Sequence, residues 1–388
     1  MATNFKTNNT AVEDAYVSYS YVGYSNLWVW GNNDYNQLGL IDTVHRSSPT
    51  QASSASGGLN PWSTVNISDY HAVALKTDNT LWTWGYNNTG QLGTGDYNHR
   101  SSPVQISGAW TSTVSMSGSN GSTLGVKIDG TLWSWGYQNG GELGTGVVIN
   151  TYGNVPVQVG ALTNWLSVNG TGYFVLALKT NGTLWSWGYN VYGMLGQGDT
   201  TSRSSPVQVG VLTTWSKVAG GSLNTGHALA IKTDGTLWSW GYNASGQLGL
   251  NDIVHRSSPV QVGALTTWSL ISAGAAHSLA IKTDGTLWSW GQNQRGQLGQ
   301  NDIVHRSSPV QVGALTTWSK VACGSYTSLA VKTDGTLWSW GQNQRGQLGQ
   351  GDIVHRSSPV QVGALTTWNN VFAGEYISSA LGSYAVAP

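Results

Sequence analysis

Hydrophobic and polar residues alternate in short runs along the whole chain, and no stretch shows the periodicity of an amphipathic helix. The unit from Asp252 to Asn301 contains four such runs separated by glycine, proline and asparagine. The runs are Val260–Val262, Trp268–Ile271, His277–Lys282 and Thr286–Trp290. Asp284-Gly285 joins the last two, and this pair is a strong hairpin signal because both turn residues accept positive φ. The unit is therefore predicted to form four short antiparallel strands.

The same unit recurs along the chain, marked by seven copies of Trp-x-Trp-Gly whose glycines lie 50 to 54 residues apart. The tryptophans of this motif are Trp28, Trp30, Trp82, Trp84, Trp133, Trp135, Trp185, Trp187, Trp238, Trp240, Trp288, Trp290, Trp338 and Trp340. The remaining seven of the 21 tryptophans also fall once per unit. We interpret all of them as structural repeat positions. Seven four-stranded units predict an all-β, seven-bladed β-propeller.

The two ends of the chain predict how the ring closes. The first Trp-x-Trp-Gly has too few residues before it for a full blade, and an eighth unit begins after Trp368 but lacks the motif. We expect N- and C-terminal strands, drawn from Tyr16–Val22 and Ile377–Leu381, to complete one blade together. The predicted organisation is a polar N-terminal arm at residues 1–14 and a single propeller at residues 15–388.

The segment from Gly274 to Gly299 resembles the repeat of the regulator of chromosome condensation family. It reads Gly-x-x-His-Ser-Leu-Ala-x-Lys-Thr-Asp-Gly-Thr-Leu-Trp-Ser-Trp-Gly and continues to Gly-Gln-Leu-Gly. The resemblance covers about residues 15–382 and implies a seven-bladed propeller. It is weak evidence for function, because functional sites are grafted onto folds.

Two activities are known in that family, and differences between this chain and the family pattern argue against both of them here. The founding member is a nucleotide exchange factor for the GTPase Ran that docks on nucleosomes, but the near-constant unit length leaves no room for a long inserted wedge. No basic tail for chromatin is present. The family also includes the plant UV-B photoreceptor, whose Gly-Trp-Arg-His-Thr run does not occur here. We therefore expect a divergent member that is not an exchange factor.

Composition narrows the class of partner. The chain has 17 Lys plus Arg against 17 Asp plus Glu, and only 9% of its residues are charged. This balance argues against nucleic acid as the main partner, and no apolar run is long enough to span a membrane. A single cysteine, Cys323, excludes an internal disulfide framework and a multi-thiolate zinc site. We expect no secretory signal at the N-terminus.

Charged residues repeat as regularly as the tryptophans do. One ring of arginines follows a ring of aspartates by four residues, and comprises Arg46, Arg100, Arg203, Arg256, Arg306 and Arg356. A second pair of rings places a lysine just before the hairpin turn and an aspartate within it. We interpret the first set as Asp–Arg bonds within loops; the alternative is an arginine ring that meets a symmetric acidic partner.

A second set of candidate partner-binding residues is aromatic. A tyrosine directly follows the Trp-x-Trp-Gly glycine in four units, at Tyr86, Tyr137, Tyr189 and Tyr242. Tyrosine beside asparagine suits carbohydrate, whereas the structural alternative is an aromatic that packs on the next blade. Tyr152 joins this set, because the third unit lacks the ring aspartate and arginine and has Tyr152-Gly153 there.

No catalytic, metal or cofactor site is predicted. His71, His227 and His277 share one repeat position but lie in the second, fifth and sixth units, so we interpret them as hydrogen-bonded structural histidines. His45, His99, His255, His305 and His355 precede the ring arginines, and we expect them to add only a weak pH dependence. No nucleophile elbow or phosphate-binding loop occurs. The chain is therefore predicted not to be an enzyme and to need no cofactor.

A surface poor in charge combined with no expected export signal favours a virion protein, made in a host cytoplasm and released outside. We predict a virion surface component, either a capsid decoration or a tail or fibre protein, with a bacteriophage as the candidate source. Its partners would be other proteins of a larger assembly, or a surface glycan. The alternatives are a cytoplasmic interaction hub or exchange-factor-like protein, and a secreted lectin-like module. We expect the contact to favour the first four units, whose loops are irregular.

Overall fold

The computed structural model describes residues 26–52, 61–68, 70–117, 121–147, 151–222 and 225–383. Within these ranges every regular element is a β-strand, and the strands form seven four-stranded antiparallel sheets. The predicted all-β, seven-bladed propeller is confirmed. The predicted N-terminal arm and the strand-like run at 16–22 lie outside the described residues.

Each blade takes the number of its Trp-x-Trp-Gly unit. Blade 1 contains β1 (Asn26–Gly31), β2 (Arg46–Gln51), β27 (Trp368–Ala373) and β28 (Ile377–Gly382). Blades 2 and 3 contain β3 (Trp62–Ile67), β4 (His71–Lys76), β5 (Leu81–Gly85), β6 (Arg100–Ile106), β7 (Trp110–Ser117), β8 (Ser122–Lys127), β9 (Leu132–Gln138) and β10 (Thr151–Gln158).

The remaining blades follow the same order along the chain. Blades 4 and 5 contain β11 (Trp165–Gly170), β12 (Phe174–Lys179), β13 (Leu184–Gly188), β14 (Arg203–Gln208), β15 (Trp215–Gly220), β16 (His227–Lys232), β17 (Leu237–Gly241) and β18 (Arg256–Gln261). Blades 6 and 7 contain β19 (Trp268–Ala273), β20 (His277–Lys282), β21 (Leu287–Gly291), β22 (Arg306–Gln311), β23 (Trp318–Cys323), β24 (Thr327–Lys332), β25 (Leu337–Gly341) and β26 (Arg356–Gln361).

Blade 1 closes the ring with strands from both ends of the described chain. Its sheet order is β2-β1-β28-β27, and β1 pairs antiparallel with β28 from Asn26 opposite Gly382 to Gly31 opposite Ile377. The expected sharing of one blade is therefore present, with two strands contributed by each end. Every other blade is built from four consecutive strands.

The order of strands in a blade defines two faces of the ring. The first strand of each blade contacts its counterparts in neighbouring blades and lines the central channel, and the fourth lies at the rim. Because the strands are antiparallel, the turn between the first and second strands and the long loop between the third and fourth lie at one end, which we call the loop face. The hairpins between second and third strands lie at the other end, the hairpin face.

The Trp-x-Trp-Gly motif joins neighbouring blades. Its second tryptophan is fully buried in every blade, and its indole N–H donates to a backbone carbonyl of the preceding blade, as Trp84 does to Gln37 at 2.9 Å and Trp30 to Gln347 at 2.8 Å. The motif glycine must lack a side chain: Gly85 has φ +104°, and a Cβ there would lie 2.5 Å from the carbonyl oxygen of Tyr70.

On the hairpin face, the repeated lysine lies between two indoles. Lys282 Nζ is 3.6 Å from the ring centre of Trp288 and 5.0 Å from that of Trp268, and blades 2 to 7 repeat this arrangement. Cation–π contact keeps the ammonium on the rings, and burial lowers the pKa of Lys282. Blade 1 has Gly382 opposite Trp368 instead of a lysine. These lysines therefore serve the architecture of the blades.

Candidate interaction face

One network of side chains shapes the long loops of the loop face. In blade 5, Asn243 Oδ1 accepts the backbone N–H of Leu248, and its Nδ2 donates to the carbonyl and the carboxylate of Asp252. Asp252 Oδ2 lies 2.6 Å from Arg256 Nη2. His255 Nδ1 accepts the backbone N–H of Asn243 at 2.9 Å. These bonds hold the loop in one conformation, because the asparagine, the aspartate and the histidine each supply a hydrogen-bond partner to a backbone or amide group of the loop.

The six arginines of the predicted ring each bond to the aspartate four residues earlier, at 2.5 to 2.7 Å. They are Arg46, Arg100, Arg203, Arg256, Arg306 and Arg356. The bond to Arg100 is the main cause that lowers the pKa of Asp96 to about 2. The Asp–Arg bonds expected within loops are present, and contact between this ring and an acidic partner stays a prediction.

The histidines before the ring arginines do more than the sequence indicated. Nδ1 of His45, His99, His255, His305 and His355 accepts a backbone N–H from the start of its own loop, at 2.9 to 3.0 Å. A protonated ring could not accept this bond, so each of these histidines is neutral in the structure and carries its proton on Nε2. They therefore hold the loop, and their expected weak pH dependence stays a prediction.

Each long loop also reaches over the next blade, which creates a set of junctions on the loop face. A Cβ added to Gly296 of blade 6 would lie 2.5 Å from Ser357 Cα of blade 7, and the equivalent glycines of blades 2, 3, 4, 5 and 7 repeat this close approach. The fourth residue after the motif glycine of one blade thus faces the first residue after the motif glycine of the next blade, together with the loop histidine where that blade has one; blade 3 has none, and blade 4 has Ser202 instead. We call each such group a junction set.

Two junction sets are aromatic. At the junction of blades 1 and 2, Tyr86 stacks on His99 with ring centres 4.6 Å apart, and Tyr35 and Tyr70 meet Tyr86 at 4.9 and 5.8 Å. At the junction of blades 4 and 5, Tyr242 stacks on His255 and meets Tyr192 at 4.8 Å. Tyr86 and Tyr242 are thus half-buried and pack across blades; binding of carbohydrate stays a prediction.

The remaining candidate tyrosines lie between these two sets. Tyr189 packs on Tyr173 at 6.0 Å, and Tyr137 is half-buried at the start of its loop. The backbone of Tyr152 in β10 pairs with that of Tyr137 in β9. The irregular loops of blades 1 and 3 fall partly at residues 53–60 and 148–150, outside the described residues.

The three buried histidines join blades. His227 Nε2 lies 2.7 Å from Ser278 Oγ of the next blade, and that hydroxyl donates to the carbonyl of Gln247. The hydroxyl therefore accepts from His227 Nε2–H. His71 and His277 form the same relay, and burial lowers the pKa of all three to about 3. This matches the structural role expected of them.

The central channel is lined by both polar and apolar side chains. On the loop-face side it forms a cavity of about 370 Å³, lined by the ends of the first strands and by groups such as Asn66, Ser272 and Glu375. Cys323 lines it, but burial raises the pKa of its thiol to about 12, so it is not a thiolate at neutral pH. Among the described residues, no three histidine, cysteine, aspartate or glutamate side chains come together as metal ligands would.

Two arginines that the sequence reasoning did not single out lie on this face. Arg295 and Arg345 occupy the fourth position after the motif glycine, where blades 1 and 4 have Tyr35 and Tyr192. Both are exposed. The sequence contained a signal for them, because they are the two arginines that lie outside the arginine ring. They occur in the sixth and seventh units, which are otherwise nearly identical to the fifth unit. The described part of the chain also contains no helix suited to crossing a membrane.

Comparison with known proteins places this propeller in a class. Residues 158–384 match the model of the RCC1-like domain, and residues 25–75, 78–125 and 129–178 match the regulator of chromosome condensation (RCC1) repeat. The fold and the repeated blade architecture thus define a β-propeller built from RCC1 repeats. The chain belongs to the RCC1 family.

Among curated proteins, the chain is 32% identical over 260 residues to the mitochondrial RCC1 domain-containing protein RUG3 of Arabidopsis thaliana. It is 30% identical over 240 residues to the ultraviolet-B receptor UVR8 of the same plant. These alignments cover 63% and 61% of this chain but only 56% and 53% of the relatives. The chain thus matches little more than half of either relative.

Solved structures show the same fold at lower identity. Prp20p of Saccharomyces cerevisiae, described with its binding properties to Gsp1p and histones, superimposes with a TM-score of 0.82 at 21% identity, covering 94% of this chain and 93% of that one. Human WBSCR16 superimposes with a TM-score of 0.81 at 19% identity, covering 93% and 100%. At this identity the likeness establishes the fold.

Proposed function

We propose that this chain is a protein-interaction module whose partner docks on the loop face. The observation that carries the proposal is the junction sets: one backbone architecture presents tyrosine, arginine, serine, threonine or glycine at the same position of successive blades. This position is exposed in blades 1, 6 and 7 and half-buried in blades 2 to 5. Residues that repeat in every blade are engaged in bonds within or between blades, whereas these side chains vary. A rigid scaffold with variable side chains on its loops is typical of binding surfaces.

Relatives of the same fold support binding to protein. Prp20p is described with its binding to Gsp1p and histones, and a second structure of Prp20 is described as bound to Kap60. The virion prediction finds no support among the relatives described above, and these favour the alternative, an interaction hub inside the cell. We propose no enzymatic activity.

A site-specific crosslinking experiment tests this function. Tyr97 on the loop face and Leu265 on the hairpin face are both 48% exposed, so a photoreactive phenylalanine analogue at each gives a matched pair. In cells of the source organism, we expect a discrete crosslinked protein from position 97 and none from position 265. Crosslinks from position 265 alone, or equal and diffuse labelling from both, would contradict docking on the loop face.

A further inference from the structure

Two adjacent junctions on the loop face each present an arginine without a carboxylate partner. Arg295 extends from blade 6 towards blade 7, and Arg345 extends from blade 7 towards blade 1. The other six arginines of the described chain are each ion-paired to an aspartate, whereas neither of these two lies within 4.0 Å of a carboxylate of the described residues. Both guanidinium groups are therefore available to an external anion.

A histidine adds a second hydrogen-bond donor beside each arginine. His355 and His45 accept backbone N–H groups at Nδ1, so their protons lie on Nε2. Arg345 Nη1 is 3.3 Å from His45 Nε2, and because both atoms carry protons this contact places two donors side by side. At the other junction, burial and then the positive charge of Arg295 lower the pKa of His355, as expected for close neighbours.

The two junctions differ in one acidic residue. Asp34 Oδ1 lies 3.4 Å from His45 Nε2 and takes part of its donor capacity. Gln344 occupies the position equivalent to Asp34 in blade 7, so the Arg295–His355 pair has no such competitor. We therefore expect the junction of blades 6 and 7 to bind an anion more strongly than the junction of blades 7 and 1.

At these two junctions the residue directly after the motif glycine is an amide, Gln342 or Asn32, whereas the aromatic junctions have a tyrosine there. We call these amides and their neighbours the floor of the junction. The amide oxygens of Gln342 and Asn32 and the amide nitrogens of Gln297 and Gln347 are buried without a hydrogen-bond partner among the described residues. Gln297 Oε1 accepts the backbone N–H of Arg295, which places this amide directly beneath the arginine. Such a floor can hold a water that bridges to a bound carboxylate.

The next junction along the ring supplies an apolar neighbour. Tyr35 is 37% exposed and lies on Tyr86 and Tyr70 at the junction of blades 1 and 2. The junctions of blades 6 and 7, 7 and 1, and 1 and 2 are consecutive. Two cationic positions and one aromatic position thus form a single arc of the loop face.

We propose that this arc binds an extended acidic peptide segment of the partner, with one carboxylate at Arg295 and His355, a second at Arg345 and His45, and an aromatic side chain against Tyr35. The proposal rests on the protein-interaction function above and names the class of partner. Arginine favours carboxylates because its fork of donors matches them. A nucleic acid would need a longer basic tract than two free arginines in a formally neutral chain.

Fluorescence anisotropy with the full chain tests this binding. The probe is a short fluorescein-labelled peptide of glutamate and glycine with one tryptophan, and the comparison peptide has glutamine at each glutamate. We expect binding of the glutamate peptide that weakens as salt increases, and an affinity loss of about tenfold or more in the Arg295→Gln/Arg345→Gln variant. Both arginines are exposed, so this variant should keep the melting temperature of the wild type.

A matched variant on the opposite face separates local binding from net charge. Lys217→Gln/Lys320→Gln removes the same two charges from exposed positions of β15 and β23 near the hairpin face, and we expect its affinity to stay within twofold of wild type. The proposal is overturned if Arg295→Gln/Arg345→Gln binds as the wild type does, if the glutamine peptide binds equally well, or if a single-stranded oligothymidine binds more tightly. If one of these results is found but crosslinking from position 97 persists, the proposal of an acidic peptide is wrong and the interaction function stands. If crosslinking from position 97 is also absent, the interaction function is wrong as well.

Discussion

At the scale of single residues, buried polar side chains decide how the blades join. His71, His227 and His277 each donate from Nε2 to a hydroxyl of the next blade, which donates in turn to a backbone carbonyl of the first. The same carbonyl of Gln247 also accepts the indole N–H of Trp290. Protonating one of these histidines would place a charge in a fully buried site, which is costly.

The buried histidines predict a pH dependence of stability. Their pKa is about 3 in the folded protein against 6.5 for the free side chain, so the unfolded chain binds more protons between these values. Their stabilising contribution is therefore complete above pH 6.5 and declines as the pH falls below it. We expect the melting temperature to fall between pH 7 and pH 5, and calorimetry at constant ionic strength measures it.

Blade 7 supplies the control for this prediction, because it has buried Thr327 at the position of the histidines. The variant His71→Thr/His227→Thr/His277→Thr should lose stability at neutral pH but show a clearly smaller fall between pH 7 and pH 5. The lowered pKa of the loop aspartates acts below pH 4 and stays outside this window. An unchanged slope in the triple variant would assign the pH dependence to other groups.

At the scale of the element, the long loop of the six blades that carry the Asp–Arg pair depends more on its aspartate than on its arginine. Asp252 accepts from Asn243 Nδ2, from the backbone N–H of Val254 and from Arg256. Arg256 adds bonds to the carbonyl groups of Val254 and His255. The carboxylate of Asp252 accepts bonds from three groups of the loop, and the ion pair with Arg256 is one of these three.

This asymmetry predicts unequal effects of two substitutions in one loop. Asp252→Ala should lower the free energy of unfolding by about 1–3 kcal/mol, because the N–H of Val254 loses its acceptor and Asn243 Nδ2 loses one of its three. Arg256→Ala should cost less than about 1 kcal/mol, as a partly exposed ion pair does. Urea unfolding measures both, and Asp302 and Arg306 of blade 6 provide a replicate pair. Equal losses at both positions would show that the ion pair itself holds the loop.

At the scale of the whole molecule, one blade carries the closure of the ring. β28 lies between β1 and β27, so Ser379 pairs with Val29 on one side and with Phe372 on the other. The sequence has a single cysteine, so no disulfide bond within it joins these distant strands. The stability of the ring therefore depends on hydrogen bonds and packing between strands that are more than 300 residues apart in sequence.

A proline in the closing strand should weaken the whole ring. Ser379→Pro removes a backbone donor from a buried central strand, and we expect a loss of about 1–3 kcal/mol and a lower melting temperature. The control is Gln51→Pro in β2 at the rim. The N–H of Ala52 bonds to Leu27, so that of Gln51 points away from β1 and proline there should cost little. Equal effects of the two substitutions would contradict a special role for closure.

Much of the fold could be predicted from the sequence because each blade is a local unit. The alternation of Thr286–Trp290, the Asp284-Gly285 turn and the glycine after each tryptophan pair indicate strands and hairpins through contacts made within about 50 residues. Repetition of the unit then indicates the number of blades. The Asp–Arg bonds of the loops were also predictable, since their partners lie four residues apart.

The candidate site depended on contacts that no local pattern reveals. Arg345 and His45 are 300 residues apart, and they meet because the ring closes and each loop reaches over the following blade. The contacts of the tyrosines likewise follow from the tertiary structure, which places Tyr35 of blade 1 on Tyr86 of blade 2. The sequence by itself therefore determined the strands, the blades and the residues each loop carries. Tertiary structure decided which loops share a junction, because the strand and turn signals are local to a blade while closure is a property of the complete ring.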